Sequence, residues 1–376
     1  MHDTAIPSFT GAARPYPGGD PYADYRGAPL PFTHLPDLAD RRLGASVLAA
    51  SDEFFADREH LLDPAAPRFD PELFGHKGKV MDGWETRRRR GTHAAPHPAD
   101  DEHDWALVRL GVPGTVRGIV VDTAHFRGNH PQSVSVEATC LPGTPGPADL
   151  LADGVPWTVL VPRTPVGGHA ANGFAVEGSS RVTHLRLRQY PDGGIARLRV
   201  HGEPLPDPGW LALLGTFDLA ALEHGGQVED ASDRFYSSPL NTIRPGRPHG
   251  MHDAWETRRR RDRGHDWVRY RLCAHAALRA VEIDTGCLKG NAAGWAALSV
   301  LDTTTGADPA DPAAGWREIL PRTPLQPDAV HRFPLPGVPQ GTHVRLEIHP
   351  DGGIARLRVH GSLTETGARD LKARGC

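Results

Sequence analysis

Asp82-Gly83-Trp84-Glu85-Thr86-Arg87-Arg88-Arg89-Arg90 returns later in the chain as Asp253-Ala254-Trp255-Glu256-Thr257-Arg258-Arg259-Arg260-Arg261. The doubling is not confined to this stretch. His103-Asp104-Trp105 returns as His265-Asp266-Trp267, and the run from Pro191 to Gly202 (PDGGIARLRVHG) is repeated letter for letter from Pro350 to Gly361. A period of about 160 residues is too long for a solenoid unit and suits a whole domain. The chain therefore reads as two copies of one domain, and what both copies keep points to fold or to site.

Outward from these anchors the pattern is one of short strands between turn signals. In the first copy Trp105–Leu110 alternates, Val116–Val121 is a continuous apolar run, and Ser133–Ala138 alternates again. Trp157–Val161, His184–Arg188 and Arg197–Val200 complete the set, the last two joined by the turn at Asp192-Gly193-Gly194. The second copy repeats this at Trp267–Leu272, Leu278–Ile283, Ala297–Leu301, Trp316–Leu320, Val344–Ile348 and Arg356–Val359. Helical signals are short, at Asp37–Leu43 and Leu219–Glu223. The expected fold class is all-β, two tandem jelly-roll β-sandwiches. The Asp-Gly-Trp turn, the Trp-initiated strand and the apolar strand after it also resemble the galactose-binding (discoidin-like) type. Residues 1–33, rich in Pro, Gly and Asp, read as a flexible extension. Residues 34–205 form the first repeat, residues 206–363 the second, and 364–376 a short polar tail. Pro204-Leu205-Pro206-Asp207-Pro208-Gly209 reads as a stiff linker.

A formal net charge of -4 argues against a general nucleic-acid footprint. No apolar run is long enough for a membrane-spanning helix, so no membrane partner is expected. The four cysteines, Cys140, Cys273, Cys287 and Cys376, show no Cys-x-x-Cys spacing and do not align between copies. Neither structural disulfides nor a thiolate zinc site is expected, and a cytoplasmic location follows.

Several residues in the duplicated segments suit chemistry. Arg87 and Arg88 offer planar forks for a carboxylate, with a solvated strand as the competing reading, in which the four arginines alternate faces. Asp82 and Glu85 lie beside the basic run, which keeps a carboxylate ionised and fit to serve as base, ligand or ion-pair partner. Trp84 and Trp255 are assigned to the core. His103, next to Asp104, is a candidate general acid or base; strand capping is the equal alternative. Asp122-Thr123-Ala124-His125-Phe126-Arg127-Gly128-Asn129 enters a loop at a strand end. Its counterpart from Asp284 to Asn291 keeps Asp, Thr, Gly and Asn but not His125 or Phe126. Asp192 with Arg197 is either a structural ion pair or part of a site lining. No spacing gives a strong metal signature, so the metal ligands are unknown.

Taken together these residues resemble the allantoicase family. The matching stretches are Leu35–Ala39, Arg41–Gly44, Ser51–Phe55, Phe74–Gly78, Asp82–Arg88, His103–Trp105, Asp122–Phe126 and Pro191–Gly194. The resemblance implies two jelly-roll repeats, assembly into a homo-oligomer, and hydrolysis of allantoate to ureidoglycolate and urea in purine degradation. That substrate needs a cation for its carboxylate, polar groups for two ureido arms, a proton donor for departing urea and a base for water. Arg87 or Arg88 would take the carboxylate, His125 or His103 would move the proton, and Glu85 or Asp82 would act as base or ligand. Asn129 and Lys77 would suit the ureido groups. The sequence requires no cofactor and leaves a divalent metal open. The alternative is a non-catalytic tandem β-sandwich that binds a ligand or acts as a scaffold.

Overall fold

The computed structural model describes residues 30–374. They fall into two compact units that divide between Glu203 and Pro204. The first holds β1 (Ser46–Ala50), a small hairpin of β2 (Phe74–Gly75) and β3 (Gly78–Lys79), β4 (Trp84–Glu85), β5 (Asp104–Asp122) and β6 (Ser133–Thr139). After the short helix α1 (Pro147–Leu151) come β7 (Thr158–Pro165), β8 (Ala171–Ala175), β9 (Arg181–Tyr190), β10 (Gly194–Ile195) and β11 (Arg197–Pro204). The second unit opens with helix α2 (Pro208–Leu214), then β12 (Phe217–Asp218), β13 (Gln227–Ala231), β14 (Trp255–Glu256) and β15 (Asp266–Asp284). It continues through β16 (Trp295–Leu301), β17 (Arg317–Pro324), β18 (Val330–Pro334), β19 (Gln340–His349), β20 (Gly353–Ile354) and β21 (Arg356–Leu363) to helix α3 (Glu365–Ala373).

One strand organises each unit. β5 runs for 19 residues. Its first half pairs with β1 and β9, and the sheet extends beyond β9 through β6 and β7. Its second half pairs with β8, and β11 joins the same strand. A single strand thus serves both layers, turning a corner where the β9 register breaks between Arg109 and Gly114. Glycine is needed at this corner. A Cβ on Gly111 would sit 2.8 Å from backbone atoms of Leu43 and Ala45, and one on Gly114 would sit 2.3 Å from the Glu203 carbonyl oxygen. Val116–Val121 is therefore not a separate strand but the returning arm of β5. β15 repeats the plan, with β13 and β19 on one arm, β18 and β21 on the other, and a register break between Arg271 and Ala276.

Apolar residues at alternate positions fill the space between layers: Val108, Leu110, Val134, Val136, Leu185 and Leu187 from one side, Ile119, Val121, Leu198 and Val200 from the other. Each such side chain contributes about 1.5–3 kcal/mol when fully buried. Trp84 and Trp255 are completely buried, and their indole N–H groups donate to the Asp52 and Asp233 carbonyls at 2.7 and 2.9 Å.

Apart from the two-residue strands, four strands have no counterpart in the sequence reading: β1 and β8 in the first unit, β13 and β18 in the second. The helical signals shrink to 3-10 turns at Arg41–Leu43 and Leu222–His224. The linker is shorter than its prolines suggest, since β11 reaches Pro204 and Pro208 opens α2 behind an Asp207 cap. The C-terminal segment carries α3, capped by Thr364 and anchored by buried Leu371. Residues 1–29 of the N-terminal extension lie outside the described residues, but Leu30 and Phe32 are buried against Val120 and Ala171. No helix among the described residues is long and apolar enough to cross a membrane.

Candidate active site

At one end of the first unit three segments converge: the Trp84–Arg90 segment, the loop after β5, and the Pro191–Gly194 turn. Gly193 holds φ at 145°, and a Cβ there would meet the Pro131 nitrogen at 2.6 Å. The turn is locked from below by Thr86, whose N–H donates to the Gly193 carbonyl at 3.0 Å. Further on, the fully buried Arg197 forms an ion pair with Asp82 at 2.9 Å and donates to the carbonyls of Ala65, Asp82 and Ala196. The second unit repeats this with Arg356 and Asp253, 2.6 Å apart, and with donation to the Gly246, Asp253 and Ala355 carbonyls. The identity of the two PDGGIARLRVHG runs thus has a structural cause beyond the turn. Asp192 does not pair with Arg197; it accepts the Arg89 backbone N–H at 2.7 Å.

The four arginines do not share a strand, because the strand ends at Glu85 and the segment from Arg87 to Arg90 is irregular. Each meets its own fate. Arg87 is committed to Asp52, with Nε–Oδ2 2.7 Å, and lies over the Phe54 ring. Arg89 is tied to Asp104 at 2.7 Å. Arg88 and Arg90 are exposed and make no side-chain hydrogen bond among the described residues, and of the two it is the Arg88 charge that acts on both Glu85 and Asp192.

Glu85 and Asn129 are brought together, the Asn129 amide donating to Oε1 at 2.8 Å. Burial raises the Glu85 carboxyl above its ordinary pKa, against the opposing pull of the Asn129 hydrogen bond and the Arg88 charge. Asp192 is raised in the same way, first by burial and then by nearby Asp104, against the Arg89 N–H and the charges of Arg88 and Arg89. Asp82 goes the other way. Burial would raise it, but the hydrogen bonds from Arg197 and from the Arg68 backbone hold it below the usual range. Asp82 is therefore a clamp for the frame, whereas Glu85 is a desolvated carboxylate beside an unengaged guanidinium.

The histidines divide. His125, in the left-handed region at φ 69°, stacks on Phe69 at 5.4 Å and places its Nε2 3.3 Å from the Pro67 carbonyl. Its backbone N–H donates to Nδ1 of buried His169 at 2.7 Å. Burial lowers its pKa, so the ring is neutral near pH 7. His103 instead lies against Tyr190, its Nδ1 2.7 Å from the Asp101 carbonyl. Lys77, on the hairpin, donates to the Phe54 carbonyl at 2.7 Å and covers the Phe54 ring. The sequence reading missed Asp52, Phe69 and His169. Asp52 had a signal, since Ser51-Asp52 returns as Ser232-Asp233; the other two have none. Among the described residues no three His, Cys, Asp or Glu side chains are placed to share a metal ion.

The second unit keeps the frame and alters what it holds. Arg258 pairs with Asp233 at 2.7 Å over Phe235, Arg260 with Asp266 at 2.8 Å, and Asp351 accepts the Arg260 N–H at 2.7 Å. Asn291, however, does not reach Glu256; its buried Nδ2 has no hydrogen-bond partner. Cys287 stands for His125. The segment from Arg68 to Asp82, which carries the hairpin, has a counterpart from His249 to Asp253 that is ten residues shorter. A Cβ on Gly83 would lie 2.6 Å from the Phe126 ring and 2.7 and 2.8 Å from the Ile195 carbonyl oxygen and Ala196 Cα, whereas Ala254 packs with Leu288 and Ala355.

Fold and site together define a tandem jelly-roll protein with a polar centre at one end of the first repeat. The allantoicase repeat model matches residues 36–205 and 217–364, and the chain belongs to the allantoicase family. A Streptomyces coelicolor protein described as a probable allantoicase is 65% identical over all of this chain and 98% of its own length. An allantoicase of Dictyostelium discoideum is 36% identical over 90% of each chain. The crystal structure of the Saccharomyces cerevisiae allantoicase superposes with a TM-score of 0.71 at 30% identity, covering 90% of this chain and 97% of that one.

Proposed function

We propose that this chain hydrolyses allantoate to ureidoglycolate and urea, and that the first repeat does so at Glu85, Asn129 and Arg88. The central carbon of allantoate carries a carboxylate and two ureido groups. Its carbon–nitrogen bond breaks, the electron pair and a proton leave with urea, and the oxygen of water ends on the carbon. Among the described residues Arg88 and Arg90 have no side-chain partner in the run, and Arg88 is the one whose charge acts on Glu85 and Asp192, so it is assigned the substrate carboxylate. Glu85, desolvated and next to Arg88, accepts the proton of water. Asn129 spends one amide hydrogen on Glu85 and keeps the other for a ureido carbonyl. His125, neutral and fixed by Phe69 and His169, can take up a proton before giving one, so it is assigned to relay the proton that Glu85 accepts from water to the departing nitrogen. Lys77 borders the opening at Phe54. Asp82 and Arg197 hold the frame, Asp192 orients Arg89, and His103 is left without a chemical role.

The observation that carries this reading is the 2.8 Å Glu85–Asn129 bond beside the unengaged Arg88. The test is a joint assay of urea and ureidoglycolate from allantoate with wild-type protein, Arg88→Ala and Glu85→Gln. Equimolar products that fall together in both variants support it; full activity in either removes that residue from the site. Arg88 supplies the cation and Glu85 the base, so we propose that no cofactor is needed. Retained urea release in a chelator is the expected outcome. We further propose a cytoplasmic setting, which suits the free thiols of Cys273 and Cys287. Self-association is proposed too, with light scattering as its check.

A further inference from the structure

The two units treat one face of the sandwich in opposite ways. In the first, Val120, Ala171, Gly173 and Ala66 line the outer side of β5 and β8, and Leu30 and Phe32 seal them. The Phe32 ring lies so close to Gly118 that a Cβ there would meet it at 2.1 Å. At the matching positions the second unit has Glu282, Val330, Arg332 and Arg247, and there the face is a cleft of about 390 Å³. A second hollow of about 270 Å³ shares Arg247, Asp284 and Val330 with it and reaches Cys287. Three apolar or glycine positions have thus become charged, and among the described residues no apolar cover lies over them.

The charges are not all spent on one another. Glu282 takes both Arg332 at 3.2 Å and His360 at 2.9 Å, and Arg358 faces Asp218 at 3.5 Å. Among the described residues Arg247 makes no hydrogen bond or ion pair through its side chain, and the buried Glu223 Oε2 has no hydrogen-bond partner. A buried acceptor left without a donor is destabilising, and a ligand N–H would relieve it. The cleft therefore offers one free fork for a carboxylate and one waiting acceptor for an N–H donor, in a volume suited to a small polar ligand.

We propose that this cleft of the second repeat binds a small ureido carboxylate, the carboxylate on Arg247 and the ureido N–H on Glu223, apart from the catalytic centre of the first repeat. The chemical class rests on the reading of the reaction given above. Substrate or product bound here would leave the second repeat a sensing role in place of a catalytic one.

The experiment titrates the full chain with hydantoate, which has one ureido arm and one carboxylate, by calorimetry, with acetate and urea as separate probes. Two hydantoate sites per chain are expected. Arg88→Ala should remove one. Arg247→Ala, at an exposed residue, and the near-isosteric Glu223→Gln should each weaken the other by at least about tenfold, with allantoate turnover at low substrate unchanged. Hydantoate stoichiometry unaffected by Arg247→Ala and Glu223→Gln would overturn the site, and acetate binding as tightly as hydantoate would overturn its ureido half. Binding that depends on Arg247 in a chain that releases no urea from allantoate would overturn the assigned reaction and leave the cleft standing.

Discussion

The two repeats share a frame but not its contents. In both, a buried Arg–Asp pair, a glycine-rich turn and an Asp-anchored arginine set the same backbone. In the first, Glu85 and Asn129 are joined, the longer Arg68–Asp82 segment brings Phe69 to His125, and a bulky Phe126 crowds Gly83. In the second, Asn291 hangs free of Glu256, the segment is short, and Leu288 packs with Ala254. Duplication preserved what holds the loops and released what the loops present. The lesson is that letter-for-letter identity between repeats marks the scaffold more than the chemistry.

The largest effect should come from breaking what the repeats share. Arg197→Ala leaves Asp82 beside an empty buried slot and should cost the first unit about 3–5 kcal/mol, and Arg356→Ala should do the same to the second. Denaturant unfolding of the full chain measures both. A change under about 1 kcal/mol in either would deny the clamp its role. Next comes what they do not share. Glu85→Gln should lower kcat by about 10²–10⁴-fold, while Glu256→Gln should stay within about twofold; equal losses would make the two repeats equivalent catalysts. Gly83→Ala should destabilise the first unit by about 1–3 kcal/mol, and adding Phe126→Leu should recover the part due to the ring but not the part due to the Ile195–Ala196 backbone. A double variant as unstable as the summed singles would show that the Gly83–Phe126 and Ala254–Leu288 exchange is coincidental.

Two smaller effects sharpen the contrast. Asp82 and Asp253 ionise below the ordinary carboxylate pKa in the fold. Their contribution is complete above that ordinary value and is lost as pH falls through the folded one, so the Arg197→Ala chain should show a flatter acid limb in unfolding experiments. Glu85 is raised instead, so activity should begin to fall at a higher pH than an ordinary glutamate would give, and an acid limb at the ordinary value would remove it as the base. The smallest effect belongs to Lys77→Ala, which gives up a cation–π contact of about 0.5–1 kcal/mol and should raise KM by no more than about fivefold.

The repeat, the all-β class and the burial of Trp84 and Trp255 are legible in the sequence because they rest on local alternation and on repetition. β1 and β8 are not, since Ser-Val-Leu-Ala-Ala and Ala-Asn-Gly-Phe-Ala carry little alternation and are strands only because β5 offers them edges. The arginine run shows the limit for the site. Its letters are alike, and only partners distant in sequence (Asp52 for Arg87, Asp104 for Arg89) decide which guanidinium is left for a ligand. Glu85 and Asp82 look equivalent in the same way, until Arg197 claims one and Asn129 the other.

β5 begins at Asp104, which steadies Arg89, and ends at Asp122, whose carbonyl receives the Ala196 N–H beside the turn. Both of its ends therefore lie at the end that carries the proposed site, with the bend at Gly111–Gly114 at the opposite pole. The strand is a pair of tweezers whose tips carry the site and whose spring is a glycine corner that touches no substrate. The gap between the tips is set at that spring. A side chain forced in at Gly114 would be read out as misaligned tips, a reminder that the aperture of this enzyme is held from its far end.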